Sequence, residues 1–226
     1  MYFIQKNLTR FNSIGYTYFL NPSELNNLKS KLKKNEYNIY YPYKDSEKNI
    51  VYKNCIPEVI LYEIKSKQNL RHQDILGTIY SLNIASDLFG DILIIDNRYY
   101  IYILPILRNY FESNFNCIKN SKVDLEEIDI NSLYDYEREY EQIELIVSST
   151  RVDTIISSII HTSRSEISNL IGKKNILLNY EYLSNVDYRL KENDVFSIKK
   201  YGKYKFIGTK KKTKKDNLIV ELFKYK

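Results

Sequence analysis

Residues 150–198 decide the fold: TRVDTIISSIIHTSRSEISNLIGKKNILLNYEYLSNVDYRLKENDVFSI. Two segments here have the spacing of a capping box, in which side chains bind free N–H groups of a helix's first turn: Thr150-x-x-Asp153 and Ser163-x-x-Glu166. Behind each segment, apolar residues recur every three or four positions, which predicts a short helix with one buried face. Runs rich in β-forming residues follow at 175–179 and 195–198. The stretch therefore predicts an α-α-β-β unit.

The same residues resemble the S4 domain, a small RNA-binding module of ribosomal proteins and of several RNA-modifying and translation factors. The shared pattern has five elements, which here are Arg151-x-Asp153, Ser163-Arg164, Leu170-Ile171, Ile176-x-Leu178-Asn179 and Asn193-Asp194. Two turn glycines of the family pattern are replaced in this chain, by Lys174 and by Asn193. Asparagine adopts a positive φ more readily than most residues, so the second replacement is the milder one.

Upstream, residues 56–130 alternate strand-like and helix-like patterns. The predicted strands are 59–64, 92–95, 99–103 and 123–128; one helix carries Ile75, Ile79 and Leu82, and another begins at Pro105. The resulting order, β-α-β-β-α-β, predicts a ferredoxin-like α-β plait. The predicted fold class is therefore α+β, with a plait-like middle domain followed by a C-terminal S4 (αL-type) domain.

A second resemblance reaches from about residue 16 to the end of the sequence. It is carried by Phe19-Leu20-Asn21-Pro22, Arg71-His72-x-Asp74-x-x-Gly77, Phe89-Gly90-Asp91-Ile92 and Lys212-Thr213-Lys214-Lys215-Asp216. Together with the S4-like stretch, these segments resemble the YlmH family of bacterial S4-domain RNA-binding proteins. The resemblance implies a non-enzymatic role on the large ribosomal subunit carrying peptidyl-tRNA, with rescue of stalled nascent chains and a link to cell division.

Charge is distributed unevenly along the chain. The net charge is +6, but residues 199–226 carry eleven lysines against two acids, whereas residues 124–144 carry nine acids against Arg138. The acidic, polar stretch is interpreted as an interdomain linker. The predicted domains are a short N-terminal helical region, 1–36; a plait-like RNA-binding domain, 37–130; an acidic linker, 131–144; an S4 domain, 145–209; and a basic loop and strand, 210–226.

Basic residues at helix starts and turns are the candidate RNA contacts. A phosphate at a helix N-terminus gains from the free N–H groups, the helix dipole and a nearby guanidinium, which favours Arg151 and Arg164. Replacing both arginines is expected to weaken binding and leave the fold intact. Lys173, Lys174 and Asn179 are expected to continue the same face, and Lys199, Lys200 and Lys203 to extend it past the last strand. Three further candidates, Lys211, Lys212 and Lys214, lie in the basic run near the C-terminus, and Ser163 is expected to be an N-cap residue first and a ligand second. The YlmH resemblance adds Arg71 and His72.

Two open questions concern rings and loops in the basic C-terminal segment. Tyr201, Tyr204 and Phe206 interleave with lysines, so they serve either as stacking surfaces for bases or as core residues on the opposite face of a strand. The run Lys210–Lys215 is expected in a turn between two strands, where it grips phosphate or is simply solvated.

The sequence lacks the motifs that are typical of several other classes of protein. No Cys-x-x-Cys pair, GxGxxG or phosphate-loop motif occurs, so no enzyme activity, small-molecule substrate, metal site or cofactor is predicted. Cys55 and Cys117 are expected to be reduced and buried in a cytoplasmic protein. No membrane-spanning segment or stable membrane insertion is predicted, and the chain is expected to be a monomer bound to ribosomal RNA and tRNA.

Two alternative functions stay open. An S4-bearing pseudouridine synthase would need Asp74 or Asp91 as its catalytic carboxylate, in a domain smaller than that fold requires. A cell-division-associated interaction protein would use the basic C-terminal segment to bind a protein or an anionic membrane.

Overall fold

The computed structural model describes residues 2–225, which form two compact units of mixed α/β structure. Unit 1 extends to Glu137 and unit 2 begins at Arg138. Within the described residues, no helix has both the length and the apolar composition needed to cross a bilayer.

Unit 1 begins with two helices and a small hairpin, followed by a larger sheet. Its elements are α1 (Tyr2–Ile14), α2 (Pro22–Lys29), β1 (Asn38–Tyr40), β2 (Ile50–Tyr52), β3 (Ile60–Ser66), α3 (His72–Ser81), β4 (Phe89–Ile95), β5 (Arg98–Ile103), α4 (Arg108–Asn114), β6 (Cys117–Ile118) and β7 (Ser121–Ile128). Helix α2 starts at a capping box, because Asn21 and Glu24 each accept a backbone N–H from the other.

The larger sheet has the order β4-β5-β3-β7-β6, and all neighbouring strands are antiparallel. The predicted succession β-α-β-β-α-β is present, and the strand predicted at 123–128 lies within β7. The short strand β6 is an addition that the sequence pattern did not predict.

Both faces of this sheet are buried. Alternate residues of a strand point to opposite faces, so Tyr62 and Ile64 pack with α3 and α4, whereas Leu61 packs on the other side. That second side is covered by the segment before β3, through residues such as Phe19 and Tyr43. Sheet-face stacking of bases is therefore not open to unit 1 at these positions.

Gly90 provides a stability test of this packing. A Cβ added at Gly90 would lie 3.0 Å from Phe19 Cε1 and 3.0 Å from Tyr102 Cβ, inside the buried layer. We expect Gly90→Ala to lower the free energy of unfolding by about 1–3 kcal/mol, because a filled core cannot accept an extra methyl group without displacement. Urea denaturation would measure the change.

The matched control is Gly77→Ala in α3, where nothing lies within 4 Å of an added Cβ. Alanine lowers the entropy cost of helix formation, so this control should raise stability by about 0.5–1 kcal/mol. Equal destabilisation by both substitutions would contradict the packing described for Gly90.

Unit 2 contains two helices and a six-stranded sheet. Its elements are β8 (Tyr140–Val147), α5 (Val152–Ile160), α6 (Arg164–Gly172), β9 (Ile176–Leu178), β10 (Glu181–Tyr182), β11 (Val195–Ile198), β12 (Gly202–Lys212) and β13 (Leu218–Tyr225). The sheet order is β10-β9-β11-β12-β13-β8, with antiparallel neighbours throughout. The predicted α-α-β-β unit corresponds to α5, α6, β9 and β11, within this larger sheet.

The helices cover one face of the sheet only. Core residues of α5 and α6 pack against Tyr204, Phe206 and other inward residues of β11, β12 and β13. The two rings are each 3% exposed, so they are core residues and not stacking surfaces. Since side chains alternate along a strand, Lys203 and Lys205 project from the opposite face.

Four predictions about local structure are wrong. Residues 140–144 of the predicted acidic linker belong to β8, because Ile143, Leu145 and Val147 occur at every second position and pack on the core. Lys210, Lys211 and Lys212 lie in β12, and the turn follows them. Cys55 and Cys117 are exposed free thiols, and Thr150 does not cap α5, whose N-cap residue is Arg151.

Candidate nucleic-acid interface

The start of α5 is organised around the buried carboxylate of Asp153, which is only 3% exposed. Arg151 donates from Nε and Nη2 to the two oxygens of Asp153, at 3.0 and 2.8 Å, and also forms an ion pair with Asp187. Asp153 further accepts the backbone N–H of Thr154. The guanidinium of Arg151 holds the pKa of Asp153 below its ordinary value. Arg151 is thus engaged by two carboxylates.

Arg164 lies beside the same carboxylate but is more accessible. Its side chain is 59% exposed, and its Nε is 3.9 Å from Asp153 Oδ2 while Nη2 donates to Thr154 Oγ1. Ser163 is the N-cap residue of α6 and accepts the N–H of Glu166 at 3.3 Å, which confirms the second predicted helix start. Of the two arginines, Arg164 has the geometry for a phosphate contact. Arg151 instead binds Asp153 and Asp187 at the start of α5, so the expectation that its loss leaves the fold intact is not supported.

Two turns after α6 have positive φ angles at the positions where the S4 family pattern has glycine. Lys174 has φ +54° and Asn193 has φ +70°. The Nζ of Lys174 is 5.5 Å from the ring centroid of Tyr182. Lys173 and Lys174 are both exposed and form no ion pair within residues 2–225.

Asn179 is a structural residue of unit 2. Its Nδ2 donates to Asp194 Oδ1 at 2.8 Å, and its Oδ1 accepts the N–H of Val195 at 2.9 Å. Asp194 in turn accepts the N–H of Lys191. These bonds join the turn after β9 to the start of β11, so the amide of Asn179 is already occupied.

The remaining lysine candidates do not share one face. Lys199 and Lys200 are exposed in the turn between β11 and β12, while Lys203 projects from the face without helices. The Nζ of Lys203 is 4.7 Å from the ring centroids of both Tyr180 and Tyr225. The expectation of one continuous basic face from Arg151 to Lys203 is therefore wrong, because strand alternation places Lys203 behind the sheet.

The lysines at the far end of β12 differ in their partners. Lys210 forms ion pairs with Glu144 and Glu221. Lys211, Lys212 and Lys214 are exposed and form no ion pair among the described residues. They are available for phosphate, whereas Lys210 is already neutralised.

In unit 1, Arg71 and His72 lie at the start of α3, as predicted. Asp74 accepts from Arg71 Nε and Nη2, at 3.3 and 3.2 Å, and from Lys119 Nζ at 2.8 Å. These cations hold the pKa of Asp74 well below its ordinary value. Arg71 stays 74% exposed, so one edge of its guanidinium faces solvent.

Both carboxylates that the enzymatic alternative would use are bound by other groups of the chain. Asp74 binds Arg71 and Lys119, and Asp91 accepts the Tyr43 hydroxyl at 2.7 Å and the Glu47 N–H at 2.8 Å. Within residues 2–225, no group of three or more His, Cys, Asp or Glu side chains is arranged to hold a metal ion.

Sequence reasoning missed the partners that come from distant positions. Asp187 and Lys119 gave no local signal, since each follows its partner by more than thirty residues. Sequence reasoning also missed the group formed by Tyr140, Tyr180 and Tyr225, although the count of 23 tyrosines could have prompted a search for ring clusters.

Comparison with known proteins shows similarity over part of the chain. Residues 58–132 match the family model described as "Putative RNA-binding domain in YlmH". Over 145 residues the chain is 24% identical to the ribosome-associated protein quality control protein P2 of Bacillus subtilis (strain 168), covering 64% of this chain and 56% of that protein. The chain thus spans about half the length of this curated relative.

A solved structure, the cell division protein ylmH from Streptococcus pneumoniae, is also similar. Its TM-score is 0.48 at 23% identity, covering 59% of this chain and 93% of that one. The family match lies over the middle sheet of unit 1, and it includes Arg71, His72 and Asp74. Residues 58–132 are therefore similar to the RNA-binding domain of the YlmH family.

Proposed function

We propose that this chain is a non-catalytic, cytoplasmic RNA-binding protein that acts as a monomer on the large ribosomal subunit, where it contacts ribosomal RNA or tRNA during rescue of stalled translation. The family model concerns an RNA-binding domain, and the curated relative is named for ribosome-associated quality control. Both support the RNA and ribosome partners. The finer assignments rest on the arrangement of the basic residues.

One observation carries the proposal: seven of the candidate lysines are exposed and form no ion pair within residues 2–225. They are Lys173, Lys174, Lys199, Lys200, Lys211, Lys212 and Lys214. Unit 2 has 18 basic against 11 acidic residues, a net +7, whereas unit 1 is close to neutral. A surplus of unpaired cations on one unit favours a polyanion such as RNA.

We also propose that the two units correspond to a ferredoxin-like plait and an S4 domain. The strand order β4-β5-β3-β7 puts the first and third strands of the β-α-β-β-α-β succession in the centre, which supports a plait. In unit 2, α5 and α6 precede β9 and β11 with Arg164 at a helix start, which supports an S4 assignment. Arg71 and His72 would supply a second contact from unit 1.

Sucrose-gradient sedimentation from lysate, with crosslinking and sequencing of bound RNA, tests the proposal. The tagged chain should migrate with free large subunits and crosslink to ribosomal RNA or tRNA through the exposed lysines. Binding should weaken with salt, with a log–log slope that reflects on the order of four to eight neutralised phosphates. Migration at the top of the gradient without RNA would overturn the proposal and favour an interaction protein.

A further inference from the structure

Two tyrosine rings are exposed to solvent near one end of the unit 2 sheet. Tyr182, in the edge strand β10, is 61% exposed, and Tyr201, in the turn between β11 and β12, is 49% exposed. The register places Tyr182 in one row with Leu177, Ser197 and Lys203, so its ring lies on the face away from α5 and α6. Neither ring belongs to the core beneath the helices. Both rings therefore have an accessible surface for a ligand.

Two neighbouring turns place cations beside these rings. The turn after α6 carries a lysine pair, and the Nζ of its second lysine, Lys174, is 5.5 Å from the ring centroid of Tyr182. The turn after β11 carries another lysine pair directly before Tyr201. The N–H of Lys199 in that turn donates to the Asn175 carbonyl at 2.9 Å, so the two turns are in contact. We call the two rings and the four lysines the tyrosine–lysine rim: Tyr182, Tyr201, Lys173, Lys174, Lys199 and Lys200.

The tyrosine–lysine rim keeps a positive charge when every acid of the surrounding segment is counted. Its four lysines are exposed and form no ion pair within residues 2–225. The whole stretch 173–201 holds six basic and four acidic residues, so its net charge is positive. Of these acids, Glu181 already has an interaction partner, and Asp187 binds Arg151. The rim thus offers cations that the chain does not neutralise, beside exposed rings.

An anionic ligand that also presents flat rings fits this arrangement. Cations bind phosphate, and an exposed tyrosine ring stacks on the face of a base. In a duplex the base faces are stacked on one another, so paired RNA does not offer them to the rings. β10 and β11 are two strand spacings apart in the sheet, or about 10 Å, so one short RNA segment can extend from Tyr182 to the turn that carries Tyr201.

We infer that the tyrosine–lysine rim binds an unpaired RNA segment, with bases stacked on Tyr182 and Tyr201 and phosphates held by the four lysines. This inference rests on the proposed function and names the kind of RNA that this end of unit 2 takes. It also gives a role to two tyrosines that are not among the basic contacts proposed above. Arg164 and the lysines at the end of β12 need only a phosphate backbone, whereas the rim requires bases that are free to stack.

Fluorescence anisotropy of a labelled ten-nucleotide oligouridylate with the full chain measures this binding. Tyr182→Leu with Tyr201→Leu should raise the Kd about tenfold or more, because each base–ring stack contributes substantially to single-strand affinity. The fold should persist, since both rings are exposed and lie outside the core. Tyr41→Leu with Tyr134→Leu, at exposed tyrosines of unit 1, is the matched control and should leave the Kd unchanged. Circular dichroism and thermal melting check that each variant folds.

A second variant tests the lysines of the rim through the salt dependence of binding. Lys173→Gln with Lys199→Gln should lower the slope of log Kd against log salt by about 1.4, because each phosphate of a single strand contributes about 0.7. Neither residue has a positive φ, so glutamine fits the same backbone. Lys31→Gln with Lys67→Gln, at exposed lysines of unit 1, is the matched control and should not change the slope.

A fully paired RNA hairpin separates this inference from the proposed function. The tyrosine variant should bind the hairpin as the unmodified chain does, because a duplex does not stack on the rings. If the unmodified chain binds the hairpin and the tyrosine variant still binds oligouridylate normally, the inference is overturned and the proposed function stands. The inference is also overturned if the folded variant loses affinity for both RNAs equally, or if a ten-residue oligoglutamate competes as well as oligouridylate, since base stacking would then play no part. If the unmodified chain binds neither RNA, the proposed function fails as well.

Discussion

Asp153→Ala should lower the free energy of unfolding by about 2–4 kcal/mol. This is one of the two largest effects expected for substitutions in this chain. The substitution removes a buried carboxylate that accepts both guanidinium N–H groups of Arg151 and the backbone N–H of Thr154. It also removes the negative charge that faces Arg164 at the start of α6. Urea denaturation of the full chain would measure the loss.

The pH dependence has a defined sign. Hydrogen bonds from Arg151 keep the pKa of Asp153 lower in the folded chain than in the unfolded one. The stabilisation is therefore fully present above the unfolded pKa of about 4 and is lost as pH falls through the lower, folded pKa. The difference in stability between the unmodified chain and Asp153→Ala should accordingly shrink on acidification.

Asp187→Ala is the matched control, since Asp187 binds the same Arg151 but its side chain is 63% exposed. An exposed ion pair contributes little to stability, so this variant should unfold close to the unmodified chain. Similar, small effects of both substitutions would show that Asp153 does not organise the start of α5.

Lys211→Gln, Lys212→Gln and Lys214→Gln together should lower RNA affinity on the order of 100-fold at low salt. Each exposed lysine is free to neutralise one phosphate, so the log–log salt slope should fall by about 3. The fold should be unaffected, because the three side chains form no ion pair within the described residues and lie outside the core. Filter binding to a ribosomal RNA fragment at several salt concentrations would measure both quantities.

The control carries the same charge change in unit 1: Lys31→Gln, Lys33→Gln and Lys34→Gln, all at exposed positions. If binding depended only on net charge, both triple variants would lose affinity equally, and the assignment of the phosphate contact to the end of β12 would fail.

Local patterns predicted much of the secondary structure. The cap at Ser163, the strand at 123–128 and the positive φ at Asn193 each depend on residues within a few positions, and each is present. The β-α-β-β-α-β succession followed from the same short-range patterns. Apolar periodicity therefore carried most of the information about the order of elements.

Pairing over long distances was not predictable in the same way. The acids of 131–144 suggested a linker, yet residues 140–144 belong to strand β8 because β13 supplies a partner more than seventy residues later. Arg151, at the start of α5, also forms an ion pair with Asp187, and no local motif in the sequence indicates that pair. Alternation in β12 indicated that its side chains project from two faces of the sheet. The sequence did not show which face α5 and α6 cover, and hence that Lys203 lies on the uncovered face.

The pairing of β8 with β13 has a consequence for the order of events during synthesis. Among the strands of residues 2–225, β8 lies at the edge of the sheet and pairs with β13 alone, and Val147 pairs with Leu218, about 70 residues further along the chain. Contacts of such high sequence separation form slowly, since a long loop must close before they yield any stabilisation. The helices and β9–β12 can assemble while the chain is still growing, whereas β8 must wait, with unpaired backbone groups, until β13 has left the ribosome.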